Sequence, residues 1–154
     1  MPQKQRVAVL IDAENIPAGY AKPLFQTIDG IGDACVRRVY GNRRHLQGWD
    51  KIQAKYRIKS RKNWQLIRKK NSTDYTLIID AITLLHREEC DVFCIVSSDG
   101  DFSPLAHYIR QSNKQVHGFG ETKAPDCLKT ACTKFVELQH EAVEQKRKAL
   151  SPSP

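Results

Sequence analysis

The chain has 154 residues, 40% apolar and 27% charged, enough for one domain with its own core and a strongly solvated surface. No run of about 18 apolar residues occurs, which excludes a membrane-spanning helix. The net charge is +8 and uneven: residues 37–70 hold 13 of the 25 Lys+Arg and a single acid, Asp50, so a basic surface sits beside an acidic remainder.

The first element is the apolar run at 6–11, the pattern of a parallel strand buried on both faces. It follows basic residues but ends on Asp12, too short for a secretory signal. A turn (DAENIP) precedes a helix expected over 18–28, weakened by Pro23 and closed by Gly30 and Gly32. Residues 35–40 (CVRRVY) read as a second strand. The basic stretch 43–62 gives no clear period beyond a short helix around 49–56, and 64–67 reads as a short third strand. Asn71, Ser72 and Thr73 suit a helix cap, and Tyr75, Ile78, Ile79, Ile82 and Leu85 recur at helical spacing up to His86. A fourth buried strand, VFCIV at 92–96, opens into Ser97-Ser98-Asp99-Gly100-Asp101. A helix from about 101 to 111, a strand at 115–119, a short helix near 126–132 and a strand near 135–138 complete the domain, assigned to 1–139. From His140 the chain turns charged and then Ser/Pro-rich, so 140–154 reads as a disordered tail.

Strands alternating with helices predict a three-layer α/β/α fold around a mainly parallel sheet. Ligands of such sheets sit at the carboxyl ends of the strands, where the strand order reverses. Asp12 ends the first strand, and Asp99 and Asp101 follow the fourth, so all three are expected at one edge. Asp74 opens the helix between them. Each acid alone has an ordinary explanation in turn chemistry or the helix dipole. Together they demand more, because two bare carboxylates about 4 Å apart repel by roughly 4 kcal/mol at an effective dielectric near 20. A domain stable by only about 5–15 kcal/mol tolerates such a cluster if protons, basic groups or a divalent cation intervene. Oxygen donors without His or Cys suit Mg²⁺ or Mn²⁺, and those ions on a basic protein suggest phosphodiester hydrolysis.

The segments VLIDAEN at 9–15, KKNSTDYTLIIDA at 69–81 and VSSDGDFSPL at 96–105 together resemble the NYN domain, which includes LabA-like proteins and belongs to the PIN-like nuclease superfamily. The similarity covers residues 6–138. It implies a PIN-like (Rossmannoid) fold and a Mg²⁺- or Mn²⁺-dependent ribonuclease, with Asp12, Asp74, Asp99 and Asp101 matching the family's metal-site acids and Asn15 its asparagine after the first strand. Asp80 also falls on a patterned acid. It lies six residues from Asp74 and about 120° around the helix from it, so it is expected to support the site or to pair with a basic side chain. Asn71-Ser72-Thr73 departs from the glycine-containing turn usual there.

On this reading Asp12, Asp99 and Asp101 hold the principal ion, Asp74 completes the shell or positions a second, and Asn15 and Ser98 orient water or a phosphate oxygen. Arg43, Arg44, Arg61, Arg68, Lys69 and Lys70 are the expected phosphate contacts for RNA, single-stranded by preference, with Trp49 stacking on a base and Trp64 in the core. The five histidines look scattered and without partners. The five cysteines show no C-x-x-C spacing and read as small hydrophobes in a reducing cytoplasm rather than zinc ligands. A homodimer is compatible with paired domains of that superfamily. A PIN-like module that binds RNA or recruits a protein without cutting is the alternative. A dehalogenase-type phosphatase lacks its second aspartate, since position 14 is Glu14, and the glycine-free turn at 12–17 disfavours a nucleotide-binding loop.

Overall fold

The structure, a computed structural model, describes residues 4–62 and 72–139. Its centre is a six-stranded sheet built from β1 (Arg6–Asp12), β2 (Asp33–Gly41), β3 (Lys59–Lys62), β4 (Val92–Val96), β5 (Gln115–Gly120) and β6 (Lys134–Glu137). The strands run in the order β3-β2-β1-β4-β5-β6, and every adjacent pair is parallel. Parallel neighbours need crossovers, and helices supply them on both faces.

The two central strands explain the unbroken apolar runs in the sequence. Val7, Val9 and Ile11 of β1 face one layer with Val92, Cys94 and Val96 of β4. That layer is closed by Leu24, Phe25 and Ile28 of α1 (Ala21–Asp29), and by Leu46 and Trp49 of α2 (Arg43–Asp50). Ala8 and Leu10 of β1, with Phe93 and Ile95 of β4, face the other layer. Leu77, Ala81 and Leu84 of α4 (Ser72–His86), Leu105 and Ile109 of α5 (Ser103–Gln111) and Leu128 of α6 (Asp126–Ala131) cover them.

Several sequence expectations move. Pro23 does not weaken its helix, because α1 begins at Ala21 after a 3₁₀ turn (Ala18–Tyr20), and proline in a first turn gives up an N–H with no intrahelical partner anyway. The ambiguous basic stretch holds α2, with the Asn42 side chain accepting from the His45 backbone N–H at 3.1 Å, and the single turn α3 (Gln53–Tyr56). A strand that the sequence does not announce lies at Lys59–Lys62. KSRK carries no apolar alternation because β3 lies at the edge of the described sheet, where a short charged strand is tolerated. Residues 64–67, with Trp64, fall outside the described residues, as do Arg68, Lys69, Lys70, Asn71 and the tail at 140–154. No helix among the described residues is long and apolar enough to cross a membrane.

The chain builds outward from β1 through β2 to β3, then returns through α4 to β4 on the other side of β1. The strand order therefore reverses between β1 and β4, and the crevice past their carboxyl ends is where this topology presents a ligand site.

Candidate metal centre

Asp12 closes β1 at that crevice and is fully buried. Side chains alternate along a strand, so Asp12 points to the α4 side with Leu10, and Ser97, one residue past β4, points there with Ile95. The Ser97 hydroxyl donates to Asp12 Oδ2 at 2.7 Å and accepts from the Asp99 backbone N–H at 3.0 Å. Asn15 Nδ2 donates to the same Oδ2 at 2.6 Å, and the Glu14 backbone N–H to Oδ1 at 3.1 Å. These bonds fix the carboxylate without neutralising it.

Asp74 arrives from the first turn of α4, whose N-terminus meets the carboxyl edge because α4 runs back against the strands. Asp99 caps the following 3₁₀ turn, its Oδ1 accepting from the Asp101 N–H at 2.9 Å. Between them only glycine fits, since a Cβ on Gly100 would lie 2.9 Å from Pro125 Cγ and 3.3 Å from Cys127 Sγ.

Carboxylate oxygens of Asp12, Glu14 and Asp74 lie within 4.8 Å of one another, and so do those of Asp74, Asp99 and Asp101. Asp74 belongs to both groups. The electrostatic consequence is plain: burial first, then Asp99, Asp12, Glu14 and Asp101, push the Asp74 carboxyl up to about 7. Burial also raises Asp12, against the lowering effect of its bonds from Ser97 and Asn15. Glu14 is raised by burial and then by Asp12. A pocket of acids that resists carrying its full charge suits a divalent cation, and its all-oxygen donors fit Mg²⁺ or Mn²⁺.

The expected acids Asp12, Asp74, Asp99 and Asp101 are therefore brought together, and three residues of this neighbourhood escaped sequence reasoning. Glu14, in the turn after β1, carries no sequence signal beyond its failure to match a phosphatase aspartate. His45 was counted among scattered histidines, yet its Nδ1 lies 4.0 Å from Glu14 Oε1. Ser97 is the serine turned to the acids. Ser98, the expected one, points away and accepts from the Glu121 backbone N–H at 2.8 Å. Strand alternation carried past Val96 would have distinguished the two. Asn15, expected to orient water or a phosphate oxygen, donates through Nδ2 to Asp12. Ser97→Ala should weaken Mn²⁺ binding about 10–100-fold, the usual loss when a residue that orients a ligand is removed, as titration calorimetry would measure. Unaltered affinity would mean that Asn15 and the Glu14 backbone N–H hold Asp12 without Ser97.

The basic residues divide. Arg43 and Arg44 are exposed on α2. Arg61 is half-buried against Asp80. Trp49 does not meet solvent at all: it is 0% exposed, and its indole N–H donates to the Ile16 carbonyl at 3.0 Å, so it packs the core and cannot stack on a base. Asp80 is buried and accepts from Tyr40, Arg38 and Arg61. Of the cysteines, Cys90, Cys94 and Cys132 are buried, and no cysteine joins a metal-ligand group among the described residues.

A family model described as the NYN domain matches residues 6–139. Among solved structures, a protein of unknown function from Vibrio parahaemolyticus superposes with a TM-score of 0.73 at 20% identity, covering 90% of this chain and 96% of that one. That likeness establishes a shared fold. A search of curated proteins found no match.

Proposed function

We propose, from the premise that this chain belongs to the NYN domain family of the PIN-like nuclease superfamily, that it is a divalent-metal-dependent ribonuclease. The observation that carries the reading is the double acid cluster: two carboxylate triads sharing Asp74 at the reversal point of the sheet. Asp12, Asp99 and Asp101, with Asp74 and Glu14, would hold one or two Mg²⁺ or Mn²⁺ ions. An ion bound there supplies a Lewis acid for the phosphoryl oxygens and an activated water. The side chains of the protein do the rest. Ser97 and Asn15 hold the Asp12 carboxylate in place, and Ser97 ties the Asp99 backbone to the same point. Glu14, beside His45, closes one side, and the exposed Asp101 leaves the other open to a substrate strand.

The preference for RNA follows from the family and from charge. Arg43 and Arg44 are exposed, and with Arg68, Lys69 and Lys70 they belong to the segment 37–70 that carries 13 of the 25 Lys+Arg. An extended single strand reaches a crevice at a sheet edge more readily than a duplex. Five cysteines without a disulfide fit a reducing compartment such as the cytoplasm.

Purified protein should cut a short single-stranded RNA in Mn²⁺ and stop in excess EDTA. Cleavage that continues in EDTA would remove the metal mechanism. Binding without cleavage in any divalent ion would leave a recruiting module as the function.

A further inference from the structure

Resting on the ribonuclease reading, we infer that Arg38 and Arg61, aimed by Asp80, form a phosphate subsite for the same RNA strand, next to the point of cleavage. The register of the sheet makes the case. Asp12 of β1 pairs with Tyr40 of β2, and Tyr40 pairs with Arg61 of β3. Partners in a parallel sheet share a face, so Asp12, Tyr40 and Arg61 form one row along the carboxyl edge on the α4 side. With neighbouring strands about 4.8 Å apart, Arg61 starts about 10 Å from Asp12, a gap that an adjoining phosphate of one strand spans. Arg38, two residues before Tyr40 on β2, shares that face.

Asp80 joins the pair from α4. Its Oδ1 accepts from Arg61 Nη2 at 3.1 Å, and its Oδ2 from Arg38 Nη1 at 3.3 Å and from the Tyr40 hydroxyl at 2.7 Å. The carboxylate side chain is 8% exposed, while Arg38 and Arg61 are 28% and 41% exposed. One buried negative charge thus holds two guanidinium groups whose outer edges reach water. Charge balance would need only one arginine, and the pairing of partly exposed ions adds little stability. Two fixed forks with donors to spare are instead what bidentate binding of phosphate uses.

The neighbouring arginine shows the contrast. Arg37, on the opposite face of β2, gives its donors to the Ala34 and Tyr56 carbonyls and lies over the Phe25 ring, so it is committed to the fold. Arg38 makes no such commitment to the backbone among its described bonds. A polyanion approaching the acid cluster also needs positive charge beside it, and among the described strands this pair lies on the same face as Asp12.

The test uses the full chain, a fluorescein-labelled single-stranded RNA of mixed sequence, and Mn²⁺. Arg38→Gln/Arg61→Gln should raise KM at least about tenfold, with the effect concentrated in KM rather than kcat. The slope of log KM against log salt should fall by about 0.7, the value for one phosphate lost on a single strand. Asp80→Asn keeps both charges but releases their aim, so KM should rise while the salt slope stays. If the double variant melts early, Arg38→Lys/Arg61→Lys keeps the charge without the planar fork, and an intermediate KM is expected. Wild-type KM and salt slope in the double variant, with active wild-type protein, overturn this inference alone. Wild-type protein that neither binds nor cuts the RNA overturns the ribonuclease reading and this subsite with it. If wild-type protein binds without cutting, the same ratios are read from Kd.

Discussion

Asp99→Asn is expected to cut Mn²⁺-dependent RNA cleavage by well over a hundredfold while leaving the protein folded and, without the ion, at least as stable as the wild type. The amide keeps the oxygen that accepts from the Asp101 N–H, so the 3₁₀ turn retains its cap. What disappears is a charge. Burial is the main cause of the raised Asp74 carboxyl and Asp99 the strongest of the neighbouring charges acting on it, so removing that charge relieves part of the shift. A purely structural aspartate would give the opposite pattern, with stability lost and activity falling only in step. The size of the effect follows from its place: outer-shell partners cost about 10–100-fold when removed, and a direct ligand costs more. Single-turnover cleavage at saturating Mn²⁺, with a thermal melt of the same sample, separates the two. Cleavage within a few fold of wild type would take Asp99 out of the centre.

How much of this could be read from the sequence depends on what each residue touches. The runs at 7–11 and 92–96 announced buried strands because both faces of β1 and β4 are covered, leaving no polar alternation. The acids at their ends announced an edge because strand ends in a parallel sheet converge by topology alone. β3 gave no such signal, since KSRK has neither an apolar face nor a length that distinguishes strand from loop. Trp49 misled because a tryptophan in a basic stretch suggests stacking, whereas the helical period of α2 places it inward with Leu46. Ser97, Glu14, His45 and Arg38 were invisible for another reason. Their importance lies in contacts across the crevice or between strands, set by register, and register is decided only when the whole sheet assembles. Of the acids that could bind an ion, all but Glu14 were legible; of the side chains that hold Asp12, Asn15 was legible and Ser97 was not.

The second large effect joins the acids to stability. In the ion-free protein Asp74 holds its proton up to about pH 7, whereas in the unfolded chain a carboxyl lets go near 3.9. Between those values the folded state binds the extra proton, so stability falls as pH rises, and the penalty is complete above pH 7. Asp12 and Glu14, also raised, add to the same direction. A divalent ion reverses the trend because it binds the ionised acids and must displace that proton in acid. At a hundred times its Kd a ligand stabilises by about 2.7 kcal/mol. At about 2–4 °C per kcal/mol for a domain of this size, Mn²⁺ should raise the Tm by about 5–10 °C at pH 8. The same Mn²⁺ concentration should do distinctly less at pH 5.5, where the ion-free protein starts from the higher Tm. Asp74→Asn should flatten the ion-free dependence and remove most of the Mn²⁺ shift. Equal shifts at both pH values would mean that the ion binds elsewhere, because a site built on these raised carboxyls must couple metal and proton in this way.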